Sequence, residues 1–302
     1  MSAVRAVLTS RIVLVLGVLL TLAVPAATLP RLPEVSPWPL VVGLVPWIVA
    51  KYVLCPLRWR VLTPPGPDGR LSRSWHLRAY AEAELCGLLT PGHVGADIWR
   101  LRRLTRGGFA RGDAMLSVGT DRLVGAVAVT TFVGFAASQL PVRMMMVAGV
   151  VGLVLVLGML LASRYRPGLL PSGPLPRPRA LAIALLISFG YQLSVAGLLL
   201  GTIAATGHSL SLLAVLEAFG ASQLAAAVPG PNGASPRDAA LVVALVGLGL
   251  PWVVAAAAVT LRAALAWIPA IALGGVSLWF FRRQLRTCPD PGPLSAVSAG
   301  AF

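Results

Sequence analysis

Ten acidic residues occur among 302, and six of them, Glu82, Glu84, Asp97, Asp121, Glu217 and Asp238, fall within or beside apolar runs. A charge at the centre of a bilayer costs roughly 3 kcal/mol on insertion scales, so such residues normally face a partner or a wet cavity. Arginines recur in the same places: Arg100 follows Pro91 by nine residues, Arg237 follows Pro229 by eight, and Arg122 and Arg262 lie inside apolar segments. A guanidinium fork can donate two hydrogen bonds to phosphate oxygens, and a helix N-terminus aimed into a cavity adds free N–H groups. These residue types point to a site for a charged headgroup. Arg100, Arg122, Arg237 and Arg262 would neutralise phosphate, while Glu82, Glu84, Asp97, Glu217 and Asp238 would meet a cationic or polyol group. For Asp121 with Arg122 and for Arg237 with Asp238, the alternative is a helix-terminal ion pair or a snorkelling charge that only sets depth.

Reaction chemistry has no comparable signature. His76, His93 and His208 lack metal-ligand spacing, and GxSxG, GxxxxGK[ST] and HExxH are all missing from the sequence. Cys55, Cys86 and Cys288 form neither a CxxC nor a paired pattern. The expectation is therefore no catalytic residue, no metal and no cofactor. His93 is the one candidate for proton coupling, set against an ordinary interfacial histidine. Lys51 reads as a snorkelling residue, and Arg102, Arg103 and Arg106 as an interfacial basic face. Trp38, Trp59, Trp99, Trp252 and Trp279 read as interfacial belt residues.

The elements that must hold these side chains are membrane helices. The chain is 57% hydrophobic and 12% charged, with a mean hydropathy of +0.83, which excludes a water-soluble fold. Apolar stretches predict six spans at about 12–29, 38–57, 115–137, 142–162, 180–205 and 252–281. The first is read as a retained helix rather than a cleaved signal. A second count divides the last span into 239–258 and 263–281, which would place the basic tail outside. The formal net charge of +15 comes from arginines clustered beside alternate span ends, so the basic balance indicates orientation and anionic head groups rather than nucleic acid. Both termini are expected on the cytoplasmic side of the cell (inner or plasma) membrane, with a disordered tail at 287–302.

Two further apolar runs break at glycine and proline. The run ending near Leu89 breaks at Pro91-Gly92-His93-Val94-Gly95-Ala96, and that ending near Val228 breaks at Pro229-Gly230-Pro231-Asn232-Gly233-Ala234. The shared PGxxGA string recurs 138 residues apart, each time about thirty residues before an intramembrane arginine. Taken alone, such strings are ordinary loop punctuation. With the matched arginines and the opposite entry sides, they predict an inverted repeat whose halves, about 12–137 and 142–281, each contain a re-entrant broken hairpin. The fold expected is an all-α polytopic membrane protein forming one integral membrane domain over 1–302. Inverted repeats with broken helices are a transporter architecture, because irregular backbone survives at membrane depth only where it lines a cavity or is buried in protein.

The ordered motifs resemble the flippase-like transmembrane region of the lysylphosphatidylglycerol synthase family. The carrying residues are Leu57-Arg58-Trp59-Arg60, then Leu88 to Asp97 with Arg100, then Ser117-Val118 with Asp121-Arg122-Leu123-Val124-Gly125. In the second half, Pro229 to Leu241 aligns without gaps to the family's glycine-rich motif, and Arg262 falls on its later arginine. Departures are Asn232 and Ser235 in place of glycines, and Asp97 and Asp238 where glutamate is usual. The resemblance covers nearly the whole chain and implies transfer of a lipid between leaflets, in the best-known members an aminoacylated phosphatidylglycerol. The sequence stops soon after its last span, so a stand-alone member without the soluble synthase domain is expected.

The leading expectation is translocation of an anionic, aminoacylated or polyprenyl-linked lipid. With no ATP-binding motif, a gradient or a downhill transfer would supply the energy. The alternatives are a membrane-embedded transferase on a lipid-linked substrate and a non-transporting partner of a separately encoded lipid enzyme. A homo-oligomer is a further expectation.

Overall fold

The structure, a computed structural model, describes residues 35–66, 69–88, 90, 93–136, 176–225 and 235–287. The spans expected at 12–29 and 142–162, and the tail from 288, lie outside the described residues. Among the described residues the elements are helices, apart from one isolated bridge between Gly66 and Gly69. Three helical segments are long and apolar enough to cross a membrane: α1 (Pro37–Leu62), α5 (Pro178–Ala205), and the Trp252–Phe281 part of α8 (Trp252–Thr287). At 1.5 Å per residue even the 26 residues of α1 reach about 39 Å, beyond a hydrocarbon core of about 30 Å. The protein is an all-α polytopic membrane protein.

The span expected at 115–137 is helix α4 (Arg111–Ala136), 26 residues long. It has the length to cross, but its first half carries Arg111, Asp113, Asp121 and Arg122, and Asp121 is turned inward and buried. The division of the last span at 258–263 is not found. A short helix, α7 (Pro236–Gly247), ends at a turn in which Gly249 takes φ +94°, and α8 then runs unbroken through that point.

Each glycine-proline string stands between two described helices. α2 (Arg73–Leu88) is followed by α3 (Val94–Arg106), and α6 (Leu212–Leu224) by α7. The arms contain 16 and 13 residues, then 13 and 12, so each reaches only about 18–24 Å, too short to cross a bilayer. The first break is held by fitted backbone. His93 adopts φ +59°, and the Gly95 N–H donates to Thr90 Oγ1 at 2.8 Å. A Cβ on Gly95 would stand 2.5 Å from the Cys86 carbonyl oxygen, which is why the motif requires glycine there.

Packing between the two motif-bearing units is reciprocal. α2 of the first unit lies along α8 of the second, and α6 of the second lies along α4 of the first. α1 and α5 lie against each other. Their backbones come so close that a Cβ on Gly201 would stand 2.5 Å from the Pro39 carbonyl oxygen. Leu186, Val253, Ile268 and Val276 are exposed, whereas Arg58, Arg100, Asp121, Asp238 and Arg262 are buried. This apolar exterior and charged interior suit a chain whose solvent is lipid.

Candidate functional site

The buried charges meet at the breaks. Asp121, on α4, accepts both prongs of the Arg58 fork, at 2.7 Å from Nε and 3.0 Å from Nη2. It also accepts Arg100 Nη1 at 2.7 Å. Arg58 reaches Ser188 on α5 through Nη1 at 2.8 Å, so one carboxylate joins α1, α3, α4 and α5. The Arg100 guanidinium stacks over the rings of Trp59 and Tyr80. One turn away, Arg122 Nε donates to both oxygens of Asp97 at 2.9 and 3.0 Å, while Arg100 Nη2 reaches Asp97 at 3.1 Å. Both Asp121 and Arg122 therefore meet the first hairpin.

The second unit repeats part of this. Asp238 at the start of α7 accepts Arg262 Nη2 from α8 at 2.7 Å. Its other oxygen accepts the Ser235 hydroxyl at 2.6 Å and the Ser235 N–H at 3.3 Å, and the Ser235 Oγ accepts the Asp238 N–H, closing a capping box. Ser235 thus supplies the cap of α7. Arg237 stands beside this pair, 3.8 Å from Asp238 and about one-third exposed.

Between the units lies a cavity of about 600 Å³ adjoining one of about 200 Å³. Lys51, Glu84, His93 and Arg237 border both. The combined wall holds the cations Lys51, Arg58, Arg100, Arg122, Arg237 and Arg262 against the carboxylates Glu84 and Asp121. Asp97 and Asp238 stand behind Arg122 and Arg262 as their partners. The wall is thus cationic in excess, and Arg237 is its most weakly compensated charge, since Arg262 already holds Asp238. Such a lining suits an anion carrying several acceptor oxygens.

Several sequence expectations end elsewhere. Glu82 does not line the cavity: it is buried against α8, accepting Ser277 Oγ at 2.9 Å and Trp99 Nε1 at 3.0 Å, with Arg103 Nε 3.0 Å away. Glu217 is half-buried on α6, forms no ion pair with another described residue, and lies off the cavity wall. Pro91, Gly92, Pro229, Asn232 and Gly233 lie outside the described residues. Lys51 does not snorkel: its ammonium is 2.9 Å from Glu84 Oε2 and its side chain is 13% exposed. Helix α1 contains a π-turn at Ala50–Leu54, just before Pro56, whose ring cannot donate to the Tyr52 carbonyl and crowds it. Arg103 leaves the basic face that Arg102 and Arg106 form and packs on Phe281, 3.8 Å from the ring centroid. Trp38, Trp252 and Trp279 are exposed, as a belt requires, but Trp59 is fully buried and donates to Ser117 Oγ at 3.0 Å.

Reasoning from the sequence missed the roles of Lys51, Tyr80, Tyr191, Gln192 and Gln223 on the wall. A lysine in the middle of an apolar span was the one available signal for Lys51. Among the described residues no cluster of His, Cys, Asp and Glu could hold a metal ion.

Neither a curated protein nor a solved structure is significantly similar to the chain. The family model described as Lysylphosphatidylglycerol synthase TM region matches residues 4–274. That match takes in both broken hairpins and all six cavity cations. The chain belongs to the lysylphosphatidylglycerol synthase TM region family.

Proposed function

We propose that this protein passes the headgroup of an anionic phospholipid or lipid-linked phosphate between the leaflets of the cell membrane, with both termini cytoplasmic. The observation that carries this reading is the cationic cavity between two broken hairpins, with Arg237 and Arg122 facing it from opposite units. Moving an anion from water into a medium of low dielectric costs on the order of 20 kcal/mol in the Born limit. Fixed guanidinium groups offset that cost along a path where the acyl chains never leave lipid.

In this reading the phosphate docks between Arg122 and Arg237. Arg58, Arg100 and Arg262, each held by a carboxylate, keep the walls rigid. The hairpin arms are too short to seal the membrane by themselves, so rocking of one unit against the other opens the cavity to one leaflet at a time, as in other transporters built from inverted repeats. The transfer is downhill or driven by a gradient.

The test is leaflet transfer of fluorescent phosphatidylglycerol, its lysyl ester and a polyprenyl phosphate in liposomes containing the purified protein. Transfer that Arg237→Gln reduces by about tenfold, with folding intact, supports the reading. No transfer of any of the three removes it.

A further inference from the structure

Lys51 is the chain's sole lysine; the other 24 basic residues among the 25 are arginines. It sits in mid-span on the π-turn of α1, and π-turns often mark functional positions because they cost helix stability. Its ammonium touches Glu84 Oε2 at 2.9 Å and lies 5.8 Å from the Tyr80 ring centroid and 5.4 Å from that of Tyr191. One carboxylate and two aromatic faces converge on this nitrogen from α2 and α5. That is the construction by which proteins bind a ligand's ammonium group.

The other carboxylates on and behind the wall are committed. Asp121 holds two guanidinium groups, Asp97 holds Arg122, and Asp238 holds Arg262. The only ammonium seat among the described residues of the cavity is therefore occupied by a side chain of the protein itself.

We propose that Lys51 is a specificity-determining residue: a tethered ammonium that fills the Glu84–Tyr80–Tyr191 cage, so that the cavity accepts anionic headgroups and refuses those carrying a primary amine. This rests on the lipid-headgroup reading of the cavity and narrows it. A compact ammonium satisfies such a cage without a guanidinium's planar fork, which accounts for lysine here in a chain otherwise supplied with arginine. An incoming amine would have to displace Lys51 and leave its charge buried without a partner, the penalty on which negative selection depends.

The test uses the full chain in detergent, offered equimolar phosphatidylglycerol and its lysyl ester, with bound lipid read by native mass spectrometry. The wild type should favour phosphatidylglycerol by about tenfold or more. Lys51→Met should shift the ratio toward the lysyl ester by a similar factor, and the double variant Lys51→Met/Glu84→Gln, which lacks the cage carboxylate, should lose that gain. The wild-type ratio is read on the native protein, so equal binding overturns the proposal even where Lys51→Met is too unstable to purify. Equal binding of both lipids by the wild type, or an unchanged ratio in Lys51→Met, overturns the proposal. Liposome transfer separates the two readings: equal transfer of both lipids removes the cage and leaves the translocase. The predicted binding shift without any transfer removes the translocase and leaves the cage.

Discussion

The two motif-bearing units solve one problem with different amounts of charge. In each, an aspartate just after the hairpin break accepts an arginine from the following long helix, Asp97 from Arg122 at 2.9 Å and Asp238 from Arg262 at 2.7 Å. The spacings are 25 and 24 residues. The first pair is open, with side chains 32% and 46% exposed, and the second is sealed, at 3% and 7%. The first unit also contains the Arg58–Asp121–Arg100 triad, whereas position 261 of the second, the residue before its long-helix arginine, is Leu261. The second unit instead fixes its break with the Ser235–Asp238 capping box. Both units thus keep the aspartate-to-arginine tie, but the first leaves it open and the second seals it inside the protein. The first unit offers Arg122 and the second offers Arg237, a neighbour of its strut rather than the strut itself.

The comparison can be broken first at Asp121. Asp121→Asn leaves Arg58 and Arg100 buried without a counter-charge, and loss of a buried partner costs about 3–5 kcal/mol. Thermal unfolding in detergent should show a large drop in midpoint or no folded protein; a midpoint close to that of the wild type would mean the triad is wet. Asp238→Asn leaves one buried guanidinium, Arg262, without its counter-charge rather than two, while the Ser235 Oγ still accepts the backbone N–H at 238; the expected loss in the same measurement is about 3 kcal/mol, the low end of that range. A loss equal to or larger than that of Asp121→Asn would contradict the ranking of the two units.

Arg122→Gln breaks a half-exposed pair, so about 0–1 kcal/mol of stability is at stake. Leaflet transfer should nevertheless fall, because the residue faces the cavity. A stability loss matching that of Arg262→Gln would show that the open and sealed pairs do not differ. Smallest in stability is Arg237→Gln, at about 0.5 kcal/mol or less, and it sharpens the comparison most, since its transfer defect should be the cleanest separation of function from folding. A fall in its unfolding midpoint like that of Asp238→Asn would make Arg237 a strut as well.

Much of this was legible in the residues. Apolar length placed α1, α5 and α8, and the PGxxGA strings located both breaks, because glycine and proline limit backbone conformation wherever they stand. The rarity of acids singled out Asp97, Asp121 and Asp238, since a charge in an apolar run needs a partner in any fold. Which partner it takes is not a local property. Glu82 and Glu84 are two positions apart on α2, yet one is locked beneath α8 by Ser277 and the other faces the cavity and holds Lys51. Glu217 has the same sequence signature as either and reaches no described cation.

By itself the sequence determined that the chain lives in a membrane, where its helices break and which charges had to be accounted for, all consequences of local composition and backbone chemistry. Only the tertiary structure decided that Lys51 turns inward, that Arg58 and Arg100 share one carboxylate, and that Arg237 remains the least compensated of the described cations on the cavity wall. Those outcomes depend on helices far apart in the chain arriving at one low-dielectric space, where 63 residues of separation, as between Arg58 and Asp121, shrink to a 2.7 Å contact.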